Sequence, residues 1–126
     1  MASVFYKFFN QIKSSGSINL FYGSENFFRD FVYIDDIIDI NLKFLNSEKT
    51  GIFNAGSGRK NSFLNIAEEY KKYFEFNINY IEFPKELSGK YQKNTVADLT
   101  NLKNNISFES TPLSDGIGSY LEFLNE

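Results

Sequence analysis

The order of apolar periods along this chain predicts an α/β fold, with mixed short strands and about five helices, in a single unit over residues 1–126. Three observations carry the prediction. Apolar positions at helical spacing alternate with short strand-like runs from end to end. Capping and turn residues stand at the joints between them. No repeat, low-complexity tract or composition break divides the 126 residues. A chain of roughly 100–150 residues buries most of the surface that its unfolded state exposes, so one core is expected.

The elements follow in order. Val4, Phe5, Phe8, Phe9 and Ile12 recur at helical spacing over residues 2–14, and Ser14, Ser15 and Gly16 supply a stop. Residues 18–21 read as a short strand ended by Gly23, and residues 31–34 as another, with Asp35 or Asp36 placed to cap a helix that runs to about Leu45. Residues 51–55, Gly-Ile-Phe-Asn-Ala, form a short buried-strand pattern before the turn Gly56-Ser57-Gly58. A helix follows with Phe63, Ile66, Ala67, Tyr70, Tyr73 and Phe74 on one face. Residues 78–83 alternate as a strand, which Pro84 ends, and a loop through Gly89 carries Lys90, Tyr91 and Gln92. A short helix is expected over residues 98–104. Thr111 as cap and Pro112 at the first helical position open the last helix, whose stripe is Leu113, Ile117, Tyr120, Leu121 and Leu124.

Composition removes several functions. With a net charge of -3 and a pI near 5.0, the chain lacks the clustered positive surface of a general nucleic-acid binder. No Cys and no His are present, which excludes disulfides, thiolate or imidazole metal sites, a Ser-His-Asp triad and a Cys nucleophile. No apolar run approaches the roughly 20 residues of a membrane span, and Lys7 and Lys13 interrupt any signal-like block at the start. A soluble, cytoplasmic protein without nucleic-acid or membrane partners is the expectation. Fifteen Phe and eight Tyr make it rich in rings, some of which can serve a partner.

Four places invite a chemical reading. Gly56-Ser57-Gly58 lies between strand and helix as a dinucleotide-binding loop does, but the third glycine is replaced by Asn61, so the segment reads as a tight turn. A helix starting near Ser62 retains only a weak attraction for anions. No Tyr stands four residues before a Lys, the pairing through which short-chain dehydrogenases lower a phenol's pKa, so no catalytic residue is assigned. Asp35, Asp36 and Asp39 read either as a carboxylate cluster for acid/base work or a divalent ion, or as caps complementing the helix dipole. Arg29, set among Phe27, Phe28 and Phe31, suits a bidentate grip on phosphate or an ion pair with Glu25 or Asp30. Tyr91 is either a loop ligand or a packed ring.

Several segments resemble a known family. Residues 1–4, Met-Ala-Ser-Val, are similar to the run after the catalytic lysine of bacterial ADP-glyceromanno-heptose 6-epimerases, which are extended short-chain dehydrogenases/reductases. Leu20-Phe21-Tyr22-Gly23-Ser24 resembles that family's Leu-Phe-x-Gly-Ser, and residues 51–58 its Gly-Ile-Phe-Asn-x-Gly-Thr-Gly. Lys90-Tyr91-Gln92 with Thr95, Ala97, Asp98 and Leu99 looks like its Arg/Lys-Tyr-Gln-x-x-Thr-x-Ala-Asp-Leu. The element Arg29-Asp30-Phe31-x-Tyr33-x-x-Asp36 is shared more widely, among nucleotide-sugar epimerases and dehydratases.

The resemblance covers the whole chain and implies the C-terminal, substrate-binding part of such an enzyme, without its N-terminal Rossmann half. It assigns substrate binding to Phe21, Tyr22, Gly23, Ser24, Arg29 and Tyr91. Lys7 stands where the family has a substrate-binding His, so an ammonium would meet the phosphate there. The implied substrate is an ADP-sugar. NADP belongs to the full-length enzyme, where it would oxidise C6 transiently, and this stretch alone is expected to bind none and to be inactive. Residues 33–58 would pack on the missing cofactor domain, leaving Ile38, Leu42, Leu45, Ile52 and Phe53 as an apolar surface prone to self-association, and a homo-oligomer is expected. The competing readings are a non-catalytic nucleotide-sugar-binding module, a vestigial product, or a piece of another nucleotide-sugar epimerase or dehydratase.

Overall fold

A computed structural model describes residues 3–126, and the expected helix start at Ala2 lies outside them. Helix α1 (Val4–Ser15) is capped by Ser3, whose hydroxyl accepts from the Tyr6 amide at 3.3 Å, and ends on Gly16 in the left-handed region. Strand β1 (Ser17–Phe21) follows, then a single 3-10 turn at Ser24–Asn26 and strand β2 (Phe28–Asp30). Helix α2 (Ile34–Leu45) leads through a long irregular stretch to strand β3 (Lys60–Ser62) and helix α3 (Phe63–Tyr70). Strand β4 (Asn77–Ile81), a second 3-10 turn at Lys85–Leu87, helix α4 (Thr100–Asn105) and helix α5 (Leu113–Asn125) complete the described order.

Two small sheets result. β1 and β4 pair in parallel, from Ser17 opposite Asn77 to Phe21 opposite Ile81. β2 and β3 pair antiparallel, with Arg29 opposite Asn61. Phe28 also bridges Asn94 in parallel: its amide donates to the Lys93 carbonyl at 2.8 Å, and the Thr95 amide donates to its own carbonyl at 3.2 Å.

The main core lies where α1, α3 and α5 cover β1. Ile18, Ile66 and Tyr70 are fully buried there, with Phe8 and Leu121 beside them. The Tyr70 hydroxyl donates to the Phe5 carbonyl at 2.7 Å, and burial, with a smaller push from Tyr120, raises its pKa far above the phenolic range. A second cluster of Ile40, Leu99, Leu102 and Phe108 joins α2 to α4. Ser62 and Asn65 form a reciprocal capping box at the start of α3.

Four expectations are corrected. The strand foreseen at residues 31–34 lies three residues earlier, because β2 finds its ladder with β3 and residues 94–95. Phe31 instead turns its ring edge-on to Phe5 and Phe63, at 5.4 and 5.7 Å between centroids. Residues 51–55 are extended but join no ladder among the described residues, and Ile52 is 94% exposed. Tyr33, not an aspartate, occupies the cap of α2, while Asp35 and Asp36 fall within its first turn. Asp36 accepts from the Thr111 amide at 2.8 Å and hydroxyl at 2.7 Å, and this draws Thr111 away from α5, which has Pro112 at its cap.

Candidate functional site

The site is built where β1, β2 and the segment after β4 converge. Gly23, with φ 85, turns the chain sharply out of β1, a left-handed conformation that favours glycine. The turn drops Ser24 into the interior, 1% exposed, where its hydroxyl has no partner among the described residues. Beyond it Phe27 joins a triad of rings with Phe83 and Tyr91, all three pairs lying 5.0–5.3 Å apart at tilted or edge-on angles. Phe21 extends the aromatic wall by its edge-on contact with Phe83 at 5.2 Å.

Arg29 lies over this wall. Its guanidinium carbon is 4.8 Å from the centre of the Tyr91 ring, and Nη1 donates to the Phe28 carbonyl at 2.8 Å. The alternative reading of Arg29, an ion pair with Glu25 or Asp30, finds no such pair among the described residues, where the pairs are Lys43 with Asp39 and Lys72 with Glu69. A cleft of about 400 Å³ opens beside the triad, lined by Gly23, Asn26, Phe27, Phe83, Tyr91 and Lys93 together with Leu87, Ser88 and Gly89. The rings suit a flat, apolar ligand part, and the cations at its edge suit an anionic one.

Asp30 explains why Arg29 is unpaired. Its carboxylate accepts from the Ser57 amide and hydroxyl at 2.7 and 2.6 Å, from the Gly58 amide at 2.9 Å and from the Ala97 amide at 3.1 Å. One side chain therefore ties β2 to the glycine turn and to the strand-like segment that continues from Tyr91. Burial opposes ionisation and is the largest single influence, but the hydrogen bonds from Ser57, Ala97 and Gly58 together hold the carboxyl below its ordinary pKa. Gly56 admits this close approach, since a Cβ there would stand 2.7 Å from an Asp30 oxygen and 2.9 Å from the Ala97 Cβ.

The same contacts settle the chemistry of Gly56-Ser57-Gly58. Its amides converge on an anion as those of a phosphate loop do, yet the anion is this chain's own carboxylate. The residues here therefore do not fit a nicotinamide dinucleotide. Nor do Asp35, Asp36 and Asp39 converge on a cation: Asp36 is held by Thr111, and Asp39 pairs with Lys43 at 2.7 Å.

Of the residues singled out from sequence, Gly23 and Tyr91 line one cleft, Arg29 and Phe21 contact its rings through Tyr91 and Phe83, and Ser24 lies in the buried turn that follows Gly23. Tyr22 points elsewhere, 57% exposed and stacked on Tyr80 at 5.5 Å. Lys7 is exposed on α1 and lines no described cavity. Sequence reasoning missed Phe83, Lys93 and the organising role of Asp30. The Phe83 signal was its position as the last apolar residue before Pro84, at a strand's end. A further cavity of about 340 Å³ lies between the start of α1 and α5, walled by Phe5, Phe31, Tyr33, Ile117 and Tyr120 among others.

No family model matches the sequence. Among solved structures, ADP-L-glycero-D-manno-heptose-6-epimerase from Helicobacter pylori superposes on 99% of the chain with a TM-score of 0.87 and 27% identity. UDP-glucuronic acid 4-epimerase from Bacillus cereus, solved with UDP-glucuronic acid and NAD, gives 0.77 over 97% at 25% identity. UDP-glucose 4-epimerase from Thermotoga maritima, solved with UDP-glucose, gives 0.80 over 99% at 23% identity and bears on the fold alone. The chain spans 38–41% of the length of these three proteins. Its α/β fold is thus that of one part of solved nucleotide-sugar epimerases.

Proposed function

We propose that this chain is the substrate-binding part of a nucleotide-sugar epimerase, and specifically of an ADP-glyceromanno-heptose 6-epimerase. The observation that carries the reading is the cleft walled by Phe27, Phe83, Tyr91 and Gly23, with Arg29 stacked on the ring of its Tyr91. Further support is the likeness to the Helicobacter pylori heptose epimerase along nearly the whole chain.

In this reading the aromatic wall takes the nucleotide and Arg29 its diphosphate, with the backbone at Phe21, Tyr22, Gly23 and Ser24 completing the grip. Lys7 approaches from α1 only if the ligand extends beyond the cleft. NADP and the groups that move hydride and proton belong to a part of the enzyme outside these residues. The reaction is the interconversion of the two C6 epimers of ADP-glycero-manno-heptose in lipopolysaccharide core synthesis, in the cytoplasm.

The test is an NMR titration of the chain with ADP-heptose, ADP and UDP. Binding of ADP forms in the millimolar range, about 4 kcal/mol, with UDP weaker, is expected. Equal binding of UDP would move the assignment to the wider group of nucleotide-sugar enzymes, and silence toward all three would sink it. Epimerisation by the chain with NADP added would contradict its predicted inactivity alone.

The proposal extends to residues 33–58 as the surface that meets the cofactor-binding part. Ile34, Ile38 and Leu42 are exposed on α2, and Leu45 and Ile52 are 79% and 94% exposed. Phe53 departs from the expected patch, half-buried with its ring centre 4.5 Å from that of Phe44. A patch of this kind binds hydrophobic dyes or a second copy. The double variant Ile38→Glu, Leu42→Lys is expected to lose dye binding and self-association while melting as before. A strictly monomeric, dye-negative parent would refute the proposal.

A further inference from the structure

The cleft holds a cation that neither motif nor neighbour pointed out. Among the residues lining it, Lys93 has the one charged side chain. Its backbone is fixed, because its carbonyl accepts from the Phe28 amide at 2.8 Å and the next residue, Asn94, bridges Phe28 in parallel register. Side chains alternate along extended backbone, and paired residues of neighbouring strands share a face. Phe28 and Asn94 therefore face one way, and Phe27, Arg29 and Lys93 the other. Tyr91 joins the second face by contact, its ring 5.0 Å from that of Phe27 and 4.8 Å from the Arg29 guanidinium carbon. On the opposite face Lys60 lies over the Phe28 ring at 5.1 Å.

An exposed lysine is more often a solvated side chain than a ligand group. Two observations set this one apart: it shares a face with Arg29 and the ring triad, and it forms no ion pair among the described residues. Arg29 and Lys93 also differ usefully. The guanidinium is held flat on a ring and can fork onto one phosphate, whereas the ammonium is a point charge on a flexible stem that can follow a second.

We infer that Lys93 is a second phosphate-binding residue of the cleft, gripping the diphosphate of a nucleotide together with Arg29. This rests on the nucleotide-sugar reading above and adds to it a residue which that reading did not contain.

The experiment compares the chain with its Lys93→Gln and Lys93→Arg variants against ADP, adenosine and inorganic pyrophosphate, at low and high salt. Lys93→Gln is expected to weaken ADP about ten-fold, to leave adenosine unchanged and to flatten the salt dependence, while Lys93→Arg keeps most of the ADP affinity. A merely structural lysine would affect ADP and adenosine alike. Unchanged ADP binding in Lys93→Gln overturns the inference. If the parent chain binds neither ADP nor adenosine, the nucleotide reading falls. Pyrophosphate binding that Lys93→Gln abolishes would then still support Lys93 as an anion ligand, and pyrophosphate binding that it leaves intact, or none at all, would overturn it.

Discussion

Asp30→Asn is expected to lower the stability of this chain by about 3 kcal/mol, the scale of losing several hydrogen bonds to a charged group. Both carboxylate oxygens are in use, and all four groups that meet them are donors: the amides of Ser57, Gly58 and Ala97 and the Ser57 hydroxyl. A carboxamide keeps one acceptor and turns its NH2 toward N–H groups in either orientation. The effect has a pH signature. Because the folded pKa lies below the unfolded one, the contribution is complete above the unfolded value, near pH 4, and is lost as the pH falls through the folded value. Denaturation midpoints measured down an acid series should fall steeply in the parent and less so in the variant. Equal acid limbs would show that another carboxylate carries the transition.

Arg29→Gln is expected to cost about thirty-fold in affinity for an ADP-sugar, roughly 2 kcal/mol, with little change in melting. The small folding cost follows from what the guanidinium does in the free chain: one hydrogen bond to the carbonyl of its neighbour Phe28, and a ring contact of about 1 kcal/mol at a half-buried site. Calorimetric titration of folded parent and variant decides the matter. If affinity is unchanged, Arg29 only braces the Tyr91 ring. Arg29→Lys should fall between the two, since it keeps the charge and loses the fork.

Much of this organisation was legible from the residues. The helices of α1, α3 and α5 were visible because each carries a stripe of apolar side chains at helical spacing, and that stripe is what the core buries. The strand pairs were only half legible. β1 and the residues around β4 announced themselves by alternation, whereas β2 was misplaced by three residues. The run from Phe27 to Ile34 is apolar and aromatic on both sides of Arg29 and Asp30, so no alternation marks which part joins a ladder. Residues 51–55 show the reverse case, a strand-like pattern with no partner strand among the described residues.

The site divides in the same way. Arg29 and Tyr91 could be named from the chemistry of their side chains and the resemblance of their motifs. Their meeting could not, because 61 residues lie between them in sequence, strands β3 and β4 included. Lys93 and Phe83 enter the cleft through the bridge at Phe28 and the end of β4, and Asp30 acts through a turn and a segment distant in sequence.

Sequence by itself determined the α/β class, the helix stripes, the failure of the glycine turn as a dinucleotide loop and the absence of Cys and His chemistry, because each depends on local spacing or on residue type alone. Tertiary structure alone decided which anion that turn would hold, why Arg29 has no carboxylate partner, and which side chains share the cleft. Those outcomes depend on competition between distant groups for the same hydrogen bonds and the same face, and a donor's choice among acceptors is fixed only when the chain has brought them together.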